Sequence, residues 1–239
     1  MAFSEPSAVI EALATTGYLA DEAIGSVVYL AEKLEKPIMI EGPAATGKTE
    51  LAKAYATATG SRLIRLQCYE GLDETKALYE WNYKKQLLRI QADQGATHWE
   101  DVEENIFAED FLLTRPLLEA IRSNEPTVLL VDEVDRIEIE TEALLLEVLS
   151  DFQVSIPELG TVLATRRPTV FLTSNATREL SEALKRRCLY LYLDYPDIER
   201  EKQIVMTRVP EVPDILSDQI VRIVRSVRSL DLKKAPSIS

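Results

Sequence analysis

The chain has 239 residues, 46% of them hydrophobic and 28% charged. That composition suits one large domain, or one domain with a small appendage, and excludes global disorder. The formal net charge of −13 argues against general binding to duplex DNA or to an anionic membrane, since both demand clustered positive charge.

In chain order, residues 21–34 place Ala23, Val27, Leu30 and Leu34 at helical spacing behind Asp21, which is suited to cap the helix. The Val27, Leu30 and Leu34 stripe is expected to face the core, and Pro37 to end the helix. Ile38 to Ile40 form a short apolar strand that runs directly into EGPAATGKTE. Lys48 to about Thr59 reads as a helix closed by Gly60, and Arg62 to Leu66 as a second strand. Residues 69–112 read as helix, or as helix interrupted by a hairpin around Trp81 to Tyr83, followed by a polar, acidic stretch. Trp81 and Trp99 are expected to pack or to line an interface. Phe111 to Arg122 is expected to be helical, with Pro116 in its first turn.

The second half has clearer punctuation. Thr127 to Val131 (TVLLV) is an apolar strand of the kind found in parallel sheets covered on both faces. Thr141 to Leu149 is a helix with Leu144, Leu145 and Val148 inward. QVSIPELGTVLA alternates around Gly160 and reads as a hairpin. Pro168 to Thr173 is a buried strand, Ser181 to Arg187 a short helix, and Leu189 to Leu193 a last strand. Strands alternating with helices imply a doubly wound α/β architecture. After Tyr195-Pro196 the strands stop, and residues 197–208 and 214–230 read as amphipathic helices. The expected division is an α/β domain over 1–196 and a helical unit over 197–239.

Gly42, Pro43, Ala44, Ala45, Thr46, Gly47, Lys48 and Thr49 match the pattern G-x-x-x-x-G-K-[ST]. Glycines let the backbone curl so that successive N–H groups point at phosphate oxygens. Lys48 brings charge to the β- and γ-phosphates, the Thr49 hydroxyl reaches Mg²⁺, and the helix N-terminus adds its dipole. The motif lies between an apolar strand and a helix, as it requires, so ATP with Mg²⁺ is the expected ligand. TVLLVDEVD ends a strand in Asp132-Glu133, at the sheet edge where α/β folds bind ligands. Asp132 is placed to hold the Mg²⁺ shell and Glu133 to orient or deprotonate an attacking water. Thr173-Ser174-Asn175, at the end of the next strand, is either a polar tip that bonds that water or a simple turn. In Lys185-Arg186-Arg187-Cys188, either one arginine reaches a neighbouring subunit's γ-phosphate or the basic end faces the helix dipole.

His98 is the only histidine, which excludes a histidine-based triad or metal cluster. Cys68 and Cys188 lack metal-type spacing, and a disulfide framework is not expected. MAFSEPSAVIEALATTG has no signal-peptide character and no run reaches the apolar length of a membrane span, so a reducing cytoplasm is the expected compartment.

The phosphate loop, the DE box, the strand-end Asn and the Arg pair, in that order before a helical tail, resemble an AAA+ ATPase. DEVDR, EALLLEVLSDFQVSIPELGT and TSN…RELSEALKRRC resemble the MoxR branch. RLQCYEGLDETKALYEWNYKKQLLRIQ is most similar to the members encoded beside molybdenum-containing carbon monoxide dehydrogenases. The resemblance spans about residues 18–239. It implies a P-loop NTPase with three α/β/α layers, a parallel five-stranded sheet of order 5-1-4-3-2, an insert within helix 2 over about 70–91, a hairpin over about 153–165, and a partial all-helical lid.

It further implies that Asn175 is sensor one and that Arg187 is the finger, with Arg186 as the fallback. It implies a homo-hexameric ring that binds ATP and ADP at sites between subunits, a von Willebrand factor A partner and a metalloenzyme client. Gly17 to Asp21 are expected to touch adenine. Ser237 stands where the family's sensor-two Arg falls, leaving Lys233, Lys234 or neither in that role, and a chain ending at Ser239 reads as a truncated lid. The expected function is that of an ATP-hydrolysing chaperone. The other readings are a nucleotide-binding switch or scaffold with little hydrolysis, and a clamp-loader-like DNA-processing subunit, which the acidic charge disfavours.

Overall fold

The computed structural model describes residues 3–92 and 106–228. His98, Trp99, Lys233, Lys234 and Ser237 lie outside the described residues.

Five strands build the central sheet: β1 (Ile38–Glu41), β2 (Arg62–Gln67), β5 (Thr127–Asp132), β8 (Thr169–Ser174) and β9 (Leu189–Tyr192). They lie in the order β2-β5-β8-β1-β9, and every neighbouring pair is parallel. This is the 5-1-4-3-2 order expected above. The apolar runs follow from burial on both faces: in β5, Val128 and Leu130 join one core cluster while Leu129 and Val131 join the other.

One face is covered by α1 (Pro6–Thr15), α2 (Glu22–Leu34) and α3 (Lys48–Thr59). Helix α2 starts where expected, with Asp21 Oδ1 accepting the Ile24 N–H at 2.8 Å. Its inward stripe is not the expected one. Ile24, Val28 and Ala31 are buried, whereas Ala23, Leu30 and Leu34 are exposed. The cause is α1, which was not anticipated. It packs along α2 through Val9 and Leu13, and a Cβ on Gly25 would lie 2.6 Å from the Ile10 side chain. That close approach rotates the buried stripe toward Gly25.

The other face is covered by α6 (Pro116–Arg122) and α7 (Ile139–Asp151), with a short α8 (Glu182–Arg187) beyond. Leu145 and Val148 of α7 are buried and Leu144 is partly so. Strands β6 (Gln153–Ile156) and β7 (Gly160–Leu163) pair antiparallel.

Between β2 and α6 lie α4 (Glu74–Ala77), β3 (Tyr79–Trp81), α5 (Tyr83–Ala92) and β4 (Leu112–Thr114). β3 and β4 pair antiparallel, Trp81 opposite Leu112. Residues 111–122 are therefore not one helix. Proline restricts the residue before it to extended backbone, and Arg115 is extended (φ −104°, ψ 170°). The helix begins at Pro116, and the residues ahead of it pair with β3. Trp81 is buried, edge-on to Tyr79 and Phe107.

After β9 the chain forms α9 (Ile198–Arg208) and α10 (Asp214–Arg228), packed together. Asp197 Oδ1 caps α9 by accepting the Arg200 N–H at 2.8 Å. Glu201, 1% exposed, joins the two helices through Arg228 at 2.7 Å and Arg225 at 3.4 Å. Among the described residues no helix is long and apolar enough to cross a membrane.

Candidate functional site

The carboxyl ends of β1, β5 and β8 converge, because β8 lies between the other two. Gly42 continues β1, and its N–H donates to Ser174 O at the end of β8 at 3.3 Å. The loop from Gly42 to Gly47 turns through left-handed backbone at Ala45 (φ 62°) and Gly47 (φ 91°). Gly42 has no substitute: a Cβ there would fall 1.9 Å from Leu193 O. α3 begins at Lys48, so this loop ends on a helix N-terminus, where free N–H groups and the dipole favour an anion. Pro43, Ala44 and Thr46 complete the curl, with Thr46 Oγ1 donating to Pro43 O at 3.1 Å.

Lys48 is 6% exposed. Its Nζ donates to Gly42 O at 2.9 Å and Pro43 O at 2.5 Å. Burial lowers its pKa, and the nearby carboxylates of Asp135, Asp132 and Glu133 oppose that shift. Thr49 Oγ1 donates to Asp132 Oδ1 at 3.0 Å, which joins the loop to the end of β5. Thr173 of β8 adds a second tie. Its hydroxyl donates to Asp132 Oδ1 at 2.5 Å and accepts the Glu133 N–H at 2.9 Å.

Glu133 itself is left-handed (φ 58°). Its Oε2 accepts from Arg136 Nε at 2.9 Å and from Gln67 Nε2 at 3.2 Å. Arg65 donates to Asp132 Oδ2 through Nε at 3.1 Å and Nη2 at 2.5 Å. Arg65, Gln67 and Asp135 were not singled out in the sequence, and Thr173 only as part of the polar strand tip. The available signal was the alternation on β2, where Arg65 and Gln67 share a face and the register sets Gln67 opposite Asp132.

Asn175 is half-buried directly after β8. The turn it opens is fastened to the DE box. Asp135 Oδ2 accepts the Thr177 N–H at 3.0 Å and its hydroxyl at 2.5 Å. Burial alone would raise the pKa of Asp135. Hydrogen bonds, those from the Thr177 hydroxyl and amide foremost, outweigh it and hold the carboxyl below its ordinary value. Farther along, buried Glu142 accepts the Ser181 N–H at 2.7 Å and pairs with Arg178 at 3.0 Å, anchoring the start of α8.

Arg186 and Arg187, at the end of α8, are exposed and do not line the nucleotide-sized cavity. Arg187 Nη1 donates to Ala183 O at 3.1 Å and its Nε to Ser150 Oγ. Within one copy, the arginine pair is not part of the phosphate site.

A cavity of about 650 Å³ opens beside the loop, the size of a small-molecule site. Tyr18, Asp21, Gly47, Tyr195, Arg200 and Arg208 are among its walls. The chain after β9 meets the loop and the helix behind it: Tyr195 Oη donates to the loop's Ala44 O at 3.4 Å, Arg208 of α9 pairs with Glu50 Oε2 of α3 at 3.2 Å, and the Arg228 guanidinium of α10 lies 4.0 Å over the Tyr195 ring. A triphosphate fits this arrangement: curled backbone at a helix N-terminus, a buried ammonium, and an adjoining cavity for the nucleoside. The Thr49 hydroxyl and Asp132 carboxylate are hard oxygen donors of the kind Mg²⁺ takes, one or two protein ligands beside phosphate oxygens. Among the described residues no group of three or more His, Cys, Asp and Glu side chains is placed to hold a metal without phosphate.

Residues 37–188 match the profile of a family described as AAA domain (dynein-related subfamily). An uncharacterised protein of Staphylococcus haemolyticus is 25% identical over 217 residues, covering 88% of this chain and 75% of its own length. One from Staphylococcus aureus is 26% identical over 204 residues, covering 82% and 70%. Among solved structures, a proline-to-glycine mutant of Thermotoga maritima RuvB superposes with a TM-score of 0.52 at 17% identity, over 93% of this chain and 58% of that one. A protein of Cytophaga hutchinsonii described as a candidate ATPase gives 0.51 at 19% identity, over 93% and 65%. This chain thus spans less than two thirds of either solved chain, and the likeness to them is one of fold.

Proposed function

The chain belongs to the AAA domain family, dynein-related subfamily, and from that premise we propose that it binds ATP with Mg²⁺ and hydrolyses it in a ring of identical copies, driving the remodelling of a partner protein. The observation that carries this reading is the clasp of Thr49 on Asp132 at 3.0 Å, which sets the phosphate loop against a strand end whose next residue is Glu133. Lys48 gives its ammonium to the β- and γ-phosphates in exchange for the Gly42 and Pro43 carbonyls. Thr49 and Asp132 would hold the cation, whose charge would offset the charge that develops on the phosphates. Glu133 takes the proton of the attacking water, and Asn175 orients that water. The Gln67 and Arg136 contacts hold the Glu133 carboxylate beforehand, so it turns from them to meet the water.

Arg187 serves the neighbouring copy, with Arg186 as its alternate. Its exposure and its absence from the cavity of its own copy support that division of labour. A MoxR-type chaperone acting on a metalloenzyme, with a von Willebrand factor A partner and a cytoplasmic site of action, is the finer form of the proposal. Its support is the DEVDR and TSN…RRC patterns. The helical unit from residue 197 is its lid, and residues 70–91 and 153–165 are its insert and hairpin.

The test is phosphate release by the wild type and by Glu133→Gln, alongside nucleotide affinity. Glu133→Gln should bind ATP as the wild type does and turn over at least about 10²-fold more slowly. Turnover at the wild-type rate removes Glu133 from the role of base.

A further inference from the structure

The β5–β8 ladder ends at Val131 opposite Leu172. Beyond that pair β5 stays paired with β2 and β8 with β1, and what joins the two strand ends to each other is side chains. Two ties span the gap. Thr173 binds the strand ends together, and Asp135 binds the two turns that follow them.

Asp135 sits in the short 3-10 turn Val134–Arg136, two residues after Glu133. It is 3% exposed. One oxygen, Oδ2, receives both the amide and the hydroxyl of Thr177, two residues after Asn175. Between them Ala176 is left-handed (φ 56°), a conformation costly to a residue with a Cβ and kept only where neighbours enforce it. Ser174 Oγ accepts the Ala176 N–H at 3.0 Å, pinning the turn from its other side. The second oxygen of Asp135 is buried without a hydrogen-bond partner among the described residues, an arrangement that a simple turn cap does not require.

We infer that Asp135 is a positioning residue for Asn175: its clamp on Thr177, more than the strand pairing, fixes the distance between Asn175 and Glu133. This rests on the ATPase reading given above. The same short turn then carries the base and holds the polar tip opposite it, so both approach the attacking water as one rigid unit. A misplacement of about 1 Å at such a pair costs on the order of 10²-fold in rate.

The experiment has a structural arm and a kinetic arm. In nucleotide-free protein, amide hydrogen exchange at residue 177 should be slow in the wild type and in Thr177→Ser, faster in Thr177→Val, which loses the hydroxyl bond and keeps the amide bond, and faster in Asp135→Asn, which loses the carboxylate charge. Thr177 is exposed, so its valine variant folds even if Asp135→Asn does not. In the kinetic arm, Asp135→Asn and Thr177→Val should lower kcat by about 10- to 100-fold, with KM for ATP and affinity for ADP kept within about twofold. Thr177→Ser should restore kcat. In an Asn175→Ala background, Asp135→Asn should cost nothing more, because its effect runs through Asn175.

Penalties that add in the double variant would overturn the inference while leaving the ATPase reading intact. So would fast exchange at Thr177 with kcat unchanged, or a loss of nucleotide affinity that matches the loss of kcat. A wild type that releases no phosphate at any concentration overturns the ATPase reading itself, and this inference with it.

Discussion

The hydroxyl of Thr173 lies 2.5 Å from Asp132 Oδ1 and donates to it. The Thr173 hydroxyl oxygen also accepts the Glu133 N–H at 2.9 Å, so one buried hydroxyl ties Asp132 at the end of β5, and Glu133 just after it, to β8. Thr173→Val keeps the shape and removes both bonds, leaving the Glu133 N–H unpaired. A lost partner of this kind costs about 1–3 kcal/mol. Urea unfolding should show that loss for Thr173→Val and most of it regained in Thr173→Ser. Phosphate release should follow the same order, because Glu133 loses its backbone anchor.

The phosphate loop stores strain at one residue and avoids it at another. Ala45 is left-handed (φ 62°), which costs a residue with a Cβ roughly 1–2 kcal/mol. Glycine escapes that cost but loses about 0.5–1 kcal/mol of chain entropy on folding. Ala45→Gly is therefore expected to stabilise the protein by up to about 1 kcal/mol. Gly42→Ala should do the opposite, and by more, because its Cβ would meet Leu193 O at 1.9 Å. Urea midpoints rank the three proteins, and ADP affinity should fall only for Gly42→Ala, whose loop must move away from β9.

These two relationships mark what the chain reveals on reading and what it does not. TVLLV ending in Asp132-Glu133, and an apolar strand entering Gly42 to Thr49, are local patterns with a local cause, burial on both faces of a parallel sheet. The sheet order came from the family resemblance and matches the structure. Other features have no local pattern. β3 and β4 are three residues each and meet from distant parts of the chain, so neither could be told from a helix edge. The buried stripe of α2 is set by α1 pressing on Gly25, and Leu30 and Leu34 point out although their spacing is helical. Arg65, Gln67 and Asp135 belong to the site only because strand register and a tight turn bring them to Asp132, Glu133 and Thr177. Their residue types alone read as solvated surface.

Asp135 and Glu142 predict a particular acid sensitivity. Both carboxyls are held below their ordinary values of 3.8 and 4.5. In each, burial works against the shift, while hydrogen bonds from Thr177 and from Ser181 with Arg178, respectively, overcome it. A carboxylate depressed in the folded state contributes stability above its unfolded pKa and loses it as pH falls through the folded value. Wild-type stability should therefore drop below about pH 4.5. The Asp135→Asn, Glu142→Gln double variant should be less stable at pH 7 but fall less on acidification, so the two curves approach each other. Urea midpoints between pH 7 and pH 3 test this, and parallel curves would refute it.

Arg187 carries the prediction that separates a ring from a monomer. In a single copy its guanidinium rests on Ala183 O and Ser150, away from Lys48 and Asp132. If it completes the neighbour's site, turnover per copy rises with protein concentration, and Arg187→Ala lowers kcat by about 10³- to 10⁵-fold. Arg186→Ala should leave most of the activity. The decisive measurement mixes two inactive variants. Glu133→Gln copies lack the base but bring a sound Arg187, while Arg187→Ala copies lack the finger but keep Glu133. Where an Arg187→Ala copy sits with a Glu133→Gln neighbour supplying the finger, one complete site forms. A mixture that turns over faster than either variant alone establishes a site shared between copies. If mixing restores nothing although the copies co-assemble, the finger is not supplied in trans, and Arg187 returns to the role of a basic helix end.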